Sequence, residues 1–425
     1  MQSALEKLEA AELRLGLADE AKLEKLLAAG LVNIIKFLGS EHPPVRAKAI
    51  EVLVHVDRRV KDLRSVGLPL DKLAEHFGVA TSPFELNFAL MYLDLALARA
   101  PPAARSDCLP HLLVRVSERP PALRSSLLAL FAQYAPDVHL EPHERFAFLA
   151  TAGDGGAPGA AGAVTLSADG EVVARHWLDV LLFAPSATAL SPGLSVAAHL
   201  ALAPKLGTAS DGATVAALGA RKLAIAKLAH GLGALGALPA AHKWPLLVVG
   251  ACDPFDRLAD FADGELKRLG KPEDAADSEP LVHALCALVR GDAGAPRAAT
   301  ELLALPAAER GARAAALSAE LRVPDAAALR LPAAIAVQVR ALALLARCDV
   351  APHCLEPVAD VVSRCAEPAT ADGAHVGAAR RHSAAVQLAL WAFKRAPDDA
   401  MNRVAPRVLA PLRRALAAAA DRSRA

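Results

Sequence analysis

Proline stands at the head of one amphipathic segment after another in this chain, and that punctuation leaves few ways to bury the apolar residues. Within a segment, apolar residues recur at i, i+3, i+4 and i+7, the period of a helix with one buried stripe. Segments of one to two dozen residues then stop at short Pro or Gly breaks. Residues 22–38 follow the pattern with Leu23, Leu26, Leu27, Val32, Ile35 and Phe37. In the following HPPVRAKAIEVLVHVDRRVKD, Pro43 and Pro44 occupy the first turn, where proline is tolerated. Val45, Ala49, Val52, Leu53 and Val56 form the stripe, while Arg46, Lys48, Glu51, Asp57 and Arg58 face elsewhere. Ser82-Pro83 predicts a helix to about Arg99, Pro101-Pro102 one to Ser117, and Pro120-Pro121 one to Tyr134.

A helix with a single apolar stripe cannot bury it alone. Stacking helical hairpins side by side makes one continuous core, which is the solenoid solution. Composition agrees: 54% of the 425 residues are hydrophobic but only 4% are aromatic, so the bulk is Ala, Leu and Val, suited to closely packed helices rather than sheets. The expected fold is all-α, an α-solenoid of HEAT-like helical hairpins. HEAT-like repeats are expected over 1–150 and 175–290, and Ala/Arg-rich helical repeats with indistinct boundaries over 291–425. Residues 151–174 are Gly- and Ala-rich without a helical period. They are expected to be an insert or loop, although 164–173, around Asp169-Gly170, alternates enough for a small β-hairpin.

Two segments carry the pattern of a HEAT second helix, an acidic or polar turn followed by an Arg and small residues. One runs from Glu41 through Val45-Arg46 to Ala49, the other from Asp253 through Arg257 into GELKRLG. Small residues permit close helix approach, and Arg46 and Arg257 are expected to pack between repeats by pairing with an acidic turn of a neighbour.

Charge excludes some functions. Lys plus Arg number 47 against 46 Asp plus Glu, a formal net charge of +1, so no global field draws nucleic acid or an anionic membrane. The opening MQSALEKLEAAELRLG is charged, and no apolar run reaches about 18 residues, so a soluble intracellular chain without membrane insertion is expected. Six scattered cysteines fit reduced, buried thiols.

Motifs for catalysis or cofactors fail on context. Gly231-Leu-Gly233-Ala-Leu-Gly236 matches a dinucleotide fingerprint in letters, but a helical pattern precedes it and Pro239 follows. Gly193-Leu-Ser195 resembles a nucleophile elbow but lacks the strand before it, and reads better as a helix start. Cys348, His353, Cys354 and Cys365 lie close in sequence, yet without the paired short spacings of a zinc site. No catalytic residue, cofactor site or metal site is therefore assigned. Basic clusters remain: Arg58, Arg59, Lys61 and Arg64, a candidate docking patch for an acidic partner, and Arg403, Arg407, Arg413 and Arg414 near the end.

The stretch ELRLGLADEAKLEKLLAAGLVNIIKFLGSEHPPVRAKAIEVLVHVDRRVKDLRSVGLPLDKLAEHFG, continued by SPFELNFALMYLDLALAR, resembles the N-terminal region of the extracellular-mutant family of HEAT-repeat proteasome adaptors and scaffolds. EPHERFAFLA, WLDVLLFAP, SPGLS and DPFDRLADFADGELKRLG look like later blocks of the same region, in the same order. The resemblance implies a non-catalytic scaffold that binds proteasome core and regulatory particles and steadies their association, in cytoplasm and nucleus. Family members are several times longer, so an N-terminal portion is expected. The rival reading is a HEAT-repeat transport or vesicle adaptor with other protein partners.

Overall fold

The computed structural model describes residues 2–151, 165–186, 190–207, 212–268, 279–366 and 376–422. Among these the chain is almost wholly helical, and it divides into two compact units, Met1–Phe148 and Leu149–Ala425. Each is an all-α stack of HEAT-like hairpins.

The first unit holds α1 (Gln2–Leu17), α2 (Glu20–Lys36), α3 (Pro43–Asp62), α4 (Leu70–Val79), α5 (Pro83–Arg99), α6 (Pro102–Leu112) and α7 (Pro121–Tyr134). Helices α3, α5, α6 and α7 all begin at proline, as the sequence predicts. The segment after Pro102 does not run unbroken to Ser117. It ends at Leu112 and resumes as a single 3-10 turn over Val116–Glu118, with Arg115 left-handed between them at φ 61°. Helices α2, α4 and α6 form one row of the stack, and α1 and α3 pack together in the other, with α5 and α7 beyond. The predicted stripe of α3 is fully interior: Val45, Ala49, Val52, Leu53 and Val56 are all buried.

Apolar burial is non-directional, so it does not by itself fix how one hairpin seats on the last. Here side chains reach from one hairpin to backbone carbonyls of the preceding one, at sequence separations of 33 to 44 residues. That spacing is close to one HEAT repeat. Arg59, in the last turn of α3, donates to Leu15 O, to Gly16 O (3.2 Å) and to Ala18 O (2.8 Å) at the end of α1. Arg99, in the last turn of α5, repeats the arrangement on α3, donating to Val60 O (2.6 Å), Val66 O (2.6 Å) and Leu63 O (3.4 Å). Arg119 does the same in the other row, on the end of α4. The last carbonyls of a helix have no partner within it and carry its negative dipole end, so a guanidinium fork matches them in both geometry and charge.

Tyr92 on α5 adds a buried bond, its hydroxyl donating to Leu53 O at 2.7 Å. The Tyr92→Phe substitution leaves that carbonyl short of a partner and should cost about 1–2 kcal/mol, read as faster amide exchange across the α3–α5 contact. Unchanged exchange would show that the bond contributes nothing there.

The second unit opens with a short antiparallel pairing of β1 (Ala150–Thr151) with β2 (Thr165–Leu166). The insert or loop expected over 151–174 therefore gives way to helix from Ala168, and the alternation over 164–173 does not make a hairpin of its own. Ser167 caps a helix instead, accepting from Gly170 N at 3.0 Å, and Asp169-Gly170 lie in the first turn of α8 (Ala168–Leu182). The Gly/Ala-rich residues 152–164, where a loop is expected, lie outside the described residues.

Then follow α9 (Val196–Leu206), α10 (Gly212–Ala234), α11 (Ala240–Gly250), α12 (Asp256–Arg268) and α13 (Glu279–Arg290). The remainder is α14 (Ala295–Leu303), α15 (Ala307–Leu321), α16 (Ile335–Leu345), α17 (Leu355–Ala366), α18 (Val376–Arg395) and α19 (Asp398–Arg422). Helices α8, α11, α13, α17 and α19 pack in succession as one row, with α10, α12, α16 and α18 beside them. Between α13 and α16 the chain makes an excursion. The α14–α15 hairpin builds a small core of its own with Val196 of α9, from Ala298, Ala299, Leu302, Leu317 and Ala326. Its two stems are clipped together by Asp292 N to Arg330 O and Arg330 N to Asp292 Oδ2, both 2.8 Å. Gly291 makes the exit possible: its φ is +61°, and a Cβ there would lie 2.5 Å from Pro332 N. This excursion explains why repeat boundaries blur in the sequence from about Gly291.

Candidate docking surfaces

The basic cluster at the end of α3 divides into two kinds of residue. Arg59 is turned inward as the joint to α1, and Lys61 pairs with Asp57 at 2.8 Å. Arg58 and Arg64 are exposed, and Val54, one turn before Arg58, is exposed beside them. Arg64 stands near enough to Arg99 to help burial depress the latter's pKa. Asp62 is also exposed, so the surface is mixed, with Arg58 and Arg64 as its outward cations.

The two residues expected to pack between repeats are placed differently. Arg46 donates from Nη1 to Ser40 O at 2.7 Å, inside its own hairpin, and among the described residues it is not seen paired with an acidic turn. At the first turn of α3 its side chain reaches back to the loop that precedes the helix. Arg257, in the first turn of α12, is exposed. The joints are made instead by Arg59, Arg99 and Arg119, at or beyond helix ends, which the sequence reading missed. The available signal was a last-turn arginine recurring about one repeat apart.

In the final helix Arg407 joins α19 to α17 by pairing with Glu356 and Asp360. Arg403 and Arg413 are exposed, and the side chain of Arg414 lies outside the described residues.

The motif-like elements resolve into helix ends. Gly231 and Gly233 lie in the last turn of α10, and Gly236 follows it with φ +73°. Ser195 is the N-cap of α9, its hydroxyl accepting from Ala198 N at 3.1 Å. Among the described residues no strand leads directly into either. The two cavities of note belong to the second unit. One of about 390 Å³ is lined by Glu171, Arg175, His242, His283 and Arg330, among others. The other, of about 230 Å³, lies over a buried ion pair of Lys222 on α10 with Asp253. Among the described residues no helix is long and apolar enough to cross a membrane.

A family model described as proteasome component ECM29, N-terminal, matches residues 8–424. The chain belongs to this family. Among curated ECM29 proteins it is similar to the human proteasome adapter and scaffold protein ECM29, 30% identical over 131 residues, which make up 30% of this chain and 7% of that protein. It is also similar to the proteasome-associated protein ECM29 homolog of Drosophila melanogaster, 29% identical over 149 residues, 34% of this chain and 8% of that protein. The matched stretches thus cover less than a tenth of these relatives' length. In this ECM29 N-terminal region the end of α3 carries outward cations beside exposed Val54, while Arg59, Arg99 and Arg119 hold the hairpins together.

Proposed function

We propose that this chain is a docking segment of a proteasome adaptor and scaffold, binding proteasome regulatory- and core-particle subunits and steadying their association. The family match across nearly the whole chain carries this reading, and the stacked-hairpin architecture supports it, because such stacks offer long surfaces without any need for a reactive cleft. The exposed end of α3, with Val54, Arg58 and Arg64, is the proposed contact for an acidic partner surface. Cytoplasmic and nuclear residence is part of the same proposal.

The test is capture by the tagged chain from a cell extract, with core- and regulatory-particle subunits quantified separately. Capture of regulatory-particle subunits, weakened by salt and by an Arg58→Glu/Arg64→Glu double variant, is the expected result. Capture that ignores the double variant would remove the α3 patch and leave the adaptor reading. A folded, helical chain that captures neither particle would overturn that reading for this segment.

A further inference from the structure

In the second unit, three donor groups from two helical segments meet at one point. Glu279 and His283 stand one turn apart on α13, their side chains 3.5 Å from each other. Cys354 closes the turn that leads into α17. One ligand atom from each of the three lies within 4.8 Å of the other two. We propose that Glu279, His283 and Cys354 form a binding site for a divalent cation of the zinc class, joining α13 to the start of α17.

The donor set selects the metal. A thiolate and an imidazole favour Zn²⁺ over Mg²⁺ or Ca²⁺, which take oxygen ligands. The position of the groups is enforced by the fold. Residues at i and i+4 share a helix face, so Glu279 and His283 present their donors together, and the packing of α13 on α17 brings in the sulfur. Tetrahedral ligand–ligand edges are about 3.5 Å. Glu279 and His283 are exposed and so the freer of the three to adjust toward that spacing around buried Cys354. The exposed side gives the cation a path in and leaves a fourth position for water.

Spacing in the sequence could not reveal this site, because two of its ligands lie more than seventy residues upstream of the third. Neither His353 nor Cys365 belongs to the group. Ligation requires the Cys354 thiolate, so binding displaces the thiol proton as the Sγ–H bond gives way to the Sγ–metal bond.

The test is titration of the full chain with Co²⁺, a spectroscopic stand-in for zinc, followed by displacement with Zn²⁺. One equivalent should bind, with a thiolate-to-cobalt charge-transfer band in the near ultraviolet and visible bands of tetrahedral cobalt. Cys354→Ser should abolish the charge-transfer band. His283→Ala, at an exposed position that does not threaten folding, should weaken binding by on the order of a hundredfold. Cys365→Ser, a buried thiol elsewhere on α17, serves as the control and should leave the titration unchanged. A band that survives Cys354→Ser, an affinity indifferent to His283→Ala, or the absence of any band would each overturn the proposal.

Discussion

Arg119→Ala is expected to speed amide exchange at the end of α4 and across its contact with α6 by roughly thirtyfold to several hundredfold, equivalent to about 2–4 kcal/mol. Arg119 is only 8% exposed, and its guanidinium donates to Phe77 O (3.0 Å), Ala80 O (3.1 Å) and Gly78 O (3.4 Å). It also lies 5.0 Å from the centroid of the Phe77 ring. Burial depresses its pKa, so the charge is held there against a desolvation cost that the carbonyls and the α4 dipole offset. Truncation removes the donors and leaves three carbonyls facing a cavity. Hydrogen exchange is the proper readout, because a chain of two compact units need not unfold in one step. Arg58→Ala, at an exposed position on α3, should fall within about 0.5 kcal/mol of the parent. If the two variants behaved alike, Arg119 would be a passenger and apolar contact alone would seat the hairpins.

The second large effect is expected at the Lys222–Asp253 pair, where the charges meet at 2.6 Å with side chains only 6% and 5% exposed. Asp253→Ala should destabilise the α10–α12 region by about 3–5 kcal/mol, because it strands a buried ammonium. It also removes the Oδ1 that accepts from Phe255 N at 2.9 Å. A Lys222→Met/Asp253→Leu double variant should lie within about 1–2 kcal/mol of the parent, since an apolar pair removes both desolvation costs together. The pH dependence has a definite sign. Burial lowers the pKa of Lys222, outweighing the pull of Asp253 in the other direction. Between that lowered value and the ordinary lysine value near about 10.4, the unfolded chain holds more protons than the folded one, so stability rises with pH in that window. Without Asp253 the depression deepens, and the deficit of Asp253→Ala should shrink as pH is raised from about 7 toward 10. A deficit that stays constant over that range would mean that the lysine escapes to solvent when its partner is lost.

The readable and unreadable parts of this chain separate along physical lines. Local signals were legible: prolines at helix starts, the buried stripe of α3 and the helical ends of the Gly231 and Ser195 elements all follow from rules acting over a few residues. The α8 start was missed because the loop expected over 151–174 rested on Gly/Ala-rich composition, whereas the Ser167 cap that decides the conformation is a single side-chain-to-backbone bond. The α14–α15 excursion was hidden because its stems are clipped by Asp292 and Arg330, partners 38 residues apart. At the docking patch, sequence could place four cations together. It could not say that Arg59 faces inward, because that depends on where α1 ends.

The arginine joints bear on how such a stack tolerates change. Each donor is a particular side chain, but each acceptor is a main-chain carbonyl, which any residue supplies equally well. Substitutions on the receiving helix therefore leave the joint intact as long as the helix still ends at the same turn. Neighbouring hairpins need not change in step, and their outward faces are free to drift toward new partners while the stacking geometry is inherited unchanged. Divergence in such a chain should concentrate on the receiving surfaces, with the few donor arginines as the positions where replacement is felt.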